Sequence, residues 1–285
     1  MTIGIIGLGK MGQNHLNELA KNPHFQINAL YDLKQNHTLN YPFFDNLNDF
    51  LKQKSDIIII ATPTNSHLEL AKEVFAHSKT VLIEKPLALN LEQITAISQL
   101  AKKHEVKLAV GFCERFNPAI LSLKKDLASQ KIISINIQRF SPYPQRITDI
   151  GILQDLSVHD LDLLSFLSDQ KIIDAKLLAK STKNPAMYSE SILLCQLENS
   201  IATIHQSWNS TQKLRKIHLI TQDHFYQADL NDFSLLKDAK SISTPHHTPL
   251  FAQHQALLSL ATNQSHHLAN ANDAYKVQEI LERFI

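Results

Sequence analysis

Short apolar runs and stretches of helical periodicity alternate through the first 112 residues. The runs are "TIGIIG", "QINALYD", "YPFF", "DIIIIA", "TVLIE" and "VKLAVGF". Between them, apolar positions recur at helical spacing over about 12–21, 46–54, 66–77 and 91–104. Strands that are apolar throughout, rather than at every second position, are buried on both faces. Alternating with helices, they predict a doubly wound parallel sheet. The pattern changes after "ERFNP". A helix over about 118–128 precedes "IISINIQRF", which alternates as a half-buried strand does, and a second helix covers about 152–167. The strands "IIDAKLLA", "SILLCQLE", "IATIHQSW", "RKIHLITQ" and "HFYQADL" follow, with "LENS" as a hairpin turn, and helices over about 251–261 and 271–283 close the chain. Strands joined by short turns make a mainly antiparallel sheet. The expectation is therefore an α/β domain over 1–117 and an α+β domain over 118–285, with no internal repeat.

Composition adds exclusions. The chain has 285 residues and near-balanced charge, 28 Lys and Arg against 27 Asp and Glu, so nothing draws it generally to nucleic acid or anionic membrane. No apolar run approaches the ~20 residues that span a bilayer. The opening "MTIGIIGLGK" is short and broken by glycine, with no basic leader, so no signal peptide is expected and the cytoplasm is the expected location. Cys113 and Cys195 fit no zinc or redox spacing and read as buried thiols of a reducing compartment. Several of the fifteen histidines stand in pairs (His246-His247, His266-His267) within turn-like segments and read as solvated loop residues.

Candidate chemistry begins at "GIIGLGKMG", where Gly7, Gly9 and Gly12 give G-x-G-x-x-G directly after the first strand, with Lys10 and Met11 inside the motif. Such glycines allow a tight turn, close approach of a pyrophosphate and close helix–strand packing, and the helix amides receive the anion. Asp32 ends the second strand twenty residues after Gly12, where a carboxylate accepts hydrogen bonds from an adenosine ribose. Its charge repels a 2′-phosphate, which favours NAD over NADP, although Lys34 nearby works the other way. These features predict a Rossmann-type dinucleotide site.

In an open parallel sheet, ligands bind beyond the carboxyl ends of the strands. Thr62, Pro63, Thr64, Asn65 and His67 follow "IIIIA" there, as nicotinamide-side contacts or as a plain helix cap made by Thr64, Asn65 and Ser66. Glu84-Lys85-Pro86 ends the next strand, and the proline keeps Lys85 out of helical backbone. Lys85 reads as a functional lysine, against a surface charge.

"DLSVHDLDLL" places Asp155, His159 and Asp162 four and three residues apart, on one face of a predicted amphipathic helix. Solvated ladder, metal site and catalytic group are the three readings. A metal is disfavoured because a neighbouring dinucleotide site already accounts for these groups, so no metal is expected.

Together, the glycine fingerprint followed by His15, "ATPTNSH", "EKP", "GFCERFNP" and "DLSVHDLDLL" resemble the Gfo/Idh/MocA oxidoreductases over nearly the whole chain. That resemblance implies a nucleotide-binding domain followed by an antiparallel sheet whose first helix faces the nicotinamide. It also implies a catalytic set of Lys85, Asp155 and His159. "ERFNPAI", "QRFSPYPQRITDIGILQDLSVHDLDLL" and "HQSWNSTQKLRKIHL" are similar to the branch that includes UDP-N-acetylglucosamine 3-dehydrogenases, which oxidise the sugar 3-hydroxyl of a nucleotide sugar. Cys113 stands where that branch commonly has histidine, and Ser157 where it has glycine or alanine.

Oxidising a secondary alcohol needs a hydride acceptor, a base and positive charge near the developing alkoxide. His159 is assigned as base and Lys85 as alkoxide partner, with a lysine relay as the alternative. Asp155 orients the imidazole, binds a sugar hydroxyl, or merely favours a helix N-terminus; Asp162 is expected to be a polar flank. Arg115, Asn117 and Arg146 are candidates for substrate contact, since an arginine fork suits a diphosphate, or else members of structural ion pairs. Trp208 is expected to pack against the sheet, with sugar stacking as the second reading. The expected partner is a small sugar or nucleotide sugar, with a homodimer or homotetramer formed through the open sheet face. A dehydrogenase of a free sugar or cyclitol and a non-catalytic NAD(P)-binding regulator are the alternatives.

Overall fold

The computed structural model describes residues 1–34, 40–144 and 151–285. Its chain divides into two units, residues 1–113 with 250–276, and residues 114–249 with 277–285.

The first unit is built on a six-stranded sheet of β1 (Thr2–Ile6), β2 (Gln26–Tyr31), β3 (Phe43–Phe44), β4 (Ile57–Ile60), β5 (Thr80–Ile83) and β6 (Lys107–Val110), in the order β3-β2-β1-β4-β5-β6. Every pairing is parallel. The central strand β4 is four consecutive isoleucines, all buried. Burying each is worth about 1.5–3 kcal/mol, so β4 holds the middle of the sheet through both faces. The helices of this unit are α1 (Lys10–Leu19), α2 (Leu47–Leu51), α3 (His67–Val74), α4 (Leu91–Lys103) and α7 (Pro249–Ala261). α4 starts where the Asn90 side chain accepts from the Gln93 N–H and is amphipathic, with Ile94, Ile97 and Ala101 buried.

The second unit holds eight strands: β7 (Ile132–Phe140), β8 (Ile172–Lys180), β9 (Glu190–Leu197), β10 (Ile201–Ser207), β11 (Leu214–Thr221), β12 (Phe225–Asp229), β13 (Ser234–Lys237) and β14 (Lys240–Ile242). Their order is β14-β13-β12-β11-β7-β10-β9-β8. All pairings are antiparallel except β7 with β10 at the centre. Ile135, Ile137 and Arg139 of β7 and Ala202, Ile204 and Gln206 of β10 point to the buried face. α5 (Pro118–Asp126) and α6 (Val158–Ser168) belong to this unit, while the last helix α8 (Ala271–Leu281) is shared by both units in sequence. No described helix is long and apolar enough to cross a membrane.

Two sequence expectations change. The boundary falls after Cys113 rather than at 117, and residues 250–276 return to the first unit. There the Val110 N–H donates to the Ala269 carbonyl at 2.9 Å, and Lys107 Nζ donates to the Ala261 carbonyl at 2.8 Å. Helical periodicity shows that a helix has a face to bury and not which sheet buries it. The helix expected over 152–167 is also two pieces, a π turn at Leu153–Ser157 running into α6.

Gly12 explains how closely α1 can lie on β1. A Cβ at that position would stand 1.9 Å from the Gly7 carbonyl oxygen. Gly12→Ala should therefore destabilise the fold by about 1–3 kcal/mol through overpacking, despite alanine's better helix propensity. Urea denaturation measures this, and an unchanged midpoint would contradict the close approach.

Candidate functional site

The first unit presents the carboxyl edge of its sheet. Gly7 turns the chain out of β1 at φ 88°, a left-handed conformation open to glycine, and its N–H donates to the Tyr31 carbonyl at 2.8 Å. Gly9 is the N-cap of α1, makes no side-chain cap and has open space where a Cβ would be. No acid stands in the first turn of α1, and Lys10 there is exposed, with Met11 half-buried. The helix amides thus meet an open, glycine-floored cradle, which fits a dinucleotide pyrophosphate. Asp32 lies just past β2. Its Oδ2 accepts from the Leu8 N–H at 2.6 Å and its Oδ1 from the Lys34 N–H at 3.0 Å, so the carboxylate also ties the glycine loop to the second strand.

Past β4, Thr62 and Thr64 are half-buried, and Pro63 and Asn65 are exposed. Ser66 does not cap α3; its hydroxyl turns back to Thr62 Oγ1 and the Pro63 carbonyl, each at 2.7 Å. His67 is fully buried. Its ring nitrogens lie 3.1 Å from the Leu87 carbonyl and 3.0 Å from the Thr62 carbonyl, so it braces this loop from inside. Burial pushes its pKa down, against the pull of those carbonyls.

Glu84 and Lys85 directly follow β5. Glu84 is buried and fills a slot that needs Gly111 opposite, where a Cβ would be 2.6 Å from the carboxylate carbon. Its Oε2 accepts from the Lys85 N–H at 3.2 Å, and Lys85 itself is half-buried. Glu84 Oε1 lies 2.9 Å from His15 Nε2, and His15 Nδ1 lies 2.8 Å from His254 Nε2. This Glu84–His15–His254 line joins β5, α1 and α7. His254 was invisible to sequence reasoning because 239 residues separate it from His15. Burial, with His15 beside it, lowers the His254 pKa well below its usual value.

The second unit presents α6 and the π turn before it. From Ser157 to Leu164 every residue is buried except His159, and Asp155 in the π turn is likewise half-exposed. The predicted amphipathic face is therefore a correction: the helix is buried nearly all round. Asp162 is no polar flank. It is buried and takes Arg115 bidentately, Nε to Oδ2 at 2.8 Å and Nη2 to Oδ1 at 2.6 Å, with the guanidinium 5.1 Å over the Phe166 ring. That pairing is the structural ion pair that was the second reading of Arg115. Asn117 is also built in, its Oδ1 accepting from the Ala119 N–H at 3.1 Å and its Nδ2 donating to the Leu230 carbonyl at 3.0 Å. Arg146 lies outside the described residues.

Sequence reasoning missed Asp160. It has no exposed surface and receives Arg139 Nε at 2.9 Å, Arg139 Nη2 at 2.7 Å and Gln206 Nε2 at 2.6 Å. Glu114 receives Arg139 Nη1 at 3.1 Å and Arg215 Nη1 at 2.9 Å. Burial works against the Arg139 charge, but Asp160 and Glu114 outweigh it and raise its pKa. The signal was present as "QRF" in β7 and "HDLD" in α6, although only the fold shows that they meet.

Trp208 is buried and packs edge-on to Tyr143, centroids 5.6 Å apart, in the packing position expected for it. Cys195 is buried, with its thiol pushed up to about 12 by burial, while Cys113 is only half-buried. A cavity of about 740 Å³ opens by Leu127, Lys131 and Asp169, at the end of α6 away from Asp155.

Residues 1–112 match the model of the GFO_IDH_MocA family, described as an oxidoreductase family with an NAD-binding Rossmann fold. The chain is 26% identical over 198 residues to the uncharacterised oxidoreductase YrbE of Bacillus subtilis, spanning 64% of this chain and 58% of that one. It is 25% identical over 234 residues to a UDP-N-acetylglucosamine 3-dehydrogenase of Acidithiobacillus ferrooxidans, spanning 80% and 74% respectively. A solved structure of the UDP-N-acetylglucosamine 3-dehydrogenase GnnA from Acidithiobacillus ferrooxidans superposes with a TM-score of 0.92 at 21% identity, covering 99% of this chain and 96% of that one.

Burial lowers the pKa of both His67 and His254, so protons bind the unfolded chain more readily than the folded one. Their contribution is complete above the ordinary imidazole pKa of about 6.5 and is lost as pH falls below it. The thermal midpoint should drop between about pH 7 and 5, and His254→Gln should flatten that drop. Equal slopes for the two proteins would overturn this.

Proposed function

We propose that this chain, whose residues 1–112 belong to the oxidoreductase family with the NAD-binding Rossmann fold, oxidises a secondary hydroxyl of a sugar. The leading candidate is the 3-hydroxyl of UDP-N-acetylglucosamine. The observation that carries the reading is the selective exposure of His159 within a segment whose other side chains from Ser157 to Leu164 are buried, with Asp155 half-exposed one turn earlier. A helix that surrenders one imidazole to solvent and anchors both neighbouring aspartates is organised to present that imidazole.

NAD, when bound, supplies the hydride acceptor. The open amides at the start of α1 receive its pyrophosphate and Asp32 its adenosine ribose, with Thr62 through Asn65 and Glu84-Lys85 lining the nicotinamide side. Lys85 Nζ hydrogen-bonds the reacting hydroxyl and stabilises the developing alkoxide. His159 Nδ1 is buried, which leaves Nε2 to take the hydroxyl proton. Asp155, one turn earlier, orients the ring or holds a sugar hydroxyl. The likeness to a UDP-N-acetylglucosamine 3-dehydrogenase over 80% of the chain supports a nucleotide sugar above a free sugar or cyclitol.

A panel of nucleotide sugars, free sugars and inositols with NAD, followed by NADH absorbance and by locating the new ketone, tests this directly. Turnover on UDP-N-acetylglucosamine with a 3-ketone product is expected. Turnover on inositols alone would move the substrate class, and NAD binding without turnover on any member would favour a regulator. Lys85→Ala should abolish turnover and change NAD affinity by less than about threefold, because the lysine acts on charge that develops in the transition state. Full activity in that variant would remove Lys85 from the mechanism.

The open face of the second sheet supports self-association. Ile201, Ile220 and Phe225 are exposed and stand in one cross-strand row through Ser134, with Leu194 and Leu178 exposed on neighbouring strands. A second copy of the chain, paired face to face, covers such a surface. Light scattering should give a dimer or tetramer mass, and Ile201→Asp should lower it. A monomer at micromolar concentration would contradict the pairing.

A further inference from the structure

The Gln206 side chain in β10 touches α6 and its π turn on either side of His159. Its Nε2 donates to Asp160 Oδ2 at 2.6 Å, while its Oε1 accepts from Ser157 Oγ at 2.6 Å and from Ser191 Oγ at 3.2 Å. The amide orientation follows from chemistry: a carboxylate accepts only, so the NH₂ must face Asp160 and the carbonyl oxygen must take the two hydroxyls. Gln206 and Asp160 have no exposed surface, and neither does Ser157. Arg139, held in turn by Glu114, fixes the other side of the Asp160 carboxylate.

These bonds fall at a special place in the backbone. Ser157 is the last residue of the π turn, and Asp160 lies in the first turn of α6. A π turn is a single-turn bulge within an α-helix, closed by wider i→i+5 hydrogen bonds, and such bulges are frequent at functional sites. Here one amide from the sheet grips the chain two residues before His159 and one residue after it. The rotation of that helix segment, and hence the direction of the imidazole, is set between the two grips.

We propose that Gln206 and Ser157 are positioning residues for His159: a two-point clamp that holds the π-to-α junction in the one rotation that presents the imidazole. Neither residue needs to touch substrate. The inference rests on His159 acting as the proton acceptor, but the orientation of its ring is measurable without any reaction.

The experiment compares the full-length chain with Ser157→Ala, Gln206→Leu and the double variant. Two readouts are taken on each: the pH titration of the His159 ring by NMR, assigned with His159→Gln, and kcat on the substrate found by the panel. The ring titration midpoint is expected to move by about half a pH unit or more in each single variant, which is within the range that local environment shifts histidines. In steady state, kcat is expected to fall about tenfold in each, with NAD affinity unchanged, since the affected residues all lie in the second unit. The double variant should lose little more than either single one, because both remove the same clamp. A moved titration with no turnover on any sugar would leave the clamp standing and overturn the proposed reaction. Unmoved titration and kcat, with only a lowered thermal midpoint, would reduce Gln206 and Ser157 to packing. Fully additive losses would overturn the shared clamp, and Ser157→Ala, which removes a single oxygen, keeps the test alive if Gln206→Leu fails to fold.

Discussion

A carboxylate with no exposed surface persists in a protein only where cations and hydrogen-bond donors surround it. Asp160 is such a group, and the second unit is arranged around meeting its needs. Arg139 comes from β7 and Gln206 from β10, the one parallel pair at the centre of an otherwise antiparallel sheet. Glu114, where the second unit begins, takes the remaining Arg139 nitrogen, and Arg215 balances the charge that Glu114 adds. Removing one partner of a buried pair of this kind costs about 3–5 kcal/mol, so the docking of α6 on the sheet is strongly specified. Asp162 repeats the arrangement on a second arginine.

This changes what a line of acids and an imidazole on one helix means. In the sequence, Asp155, His159 and Asp162 look alike because spacing treats every polar residue as a claim on one face. In the structure their environments separate them. Asp162 and the unremarked Asp160 are consumed by arginines, whereas His159 and Asp155 keep access to solvent. The difference comes from partners 21 and 47 residues away in the chain, Arg139 on β7 and Arg115 in the turn after β6, and no local pattern encodes them.

What was legible follows the same division. The parallel sheet, the glycine turn and Asp32 are local features: Ile57–Ile60 announces a strand buried on both faces, and Gly7 and Gly12 announce a turn that a side chain would obstruct. The alternation in β7 and the "LENS" turn likewise gave the antiparallel sheet its strands, although not its parallel centre. Long-range pairings were not legible. His67 read as a ligand contact because it follows a strand end, yet its ring turns inward to two carbonyls. Arg115 and Asn117 read equally as substrate contacts or as structural pairs, and spacing could not choose; the partners they have in the structure, Asp162 and the Leu230 carbonyl, are 47 and 113 residues away in the chain. His15 was noted as part of a motif, but its purpose depends on His254.

The return of residues 250–276 to the first unit has a consequence for how the chain is made. The ribosome releases the strands of the first sheet early. At that stage Val110 has no Ala269 to bond, and His15 has no His254 beside it. Synthesis at about 5–20 residues per second places several seconds between the last strand of that sheet and the helix that completes it. During that interval the nucleotide-binding unit is a sheet with part of its polar interior still unmatched. Its completion waits until residues 250–276 have been made, and residues 277–285 must follow before the second unit is complete as well.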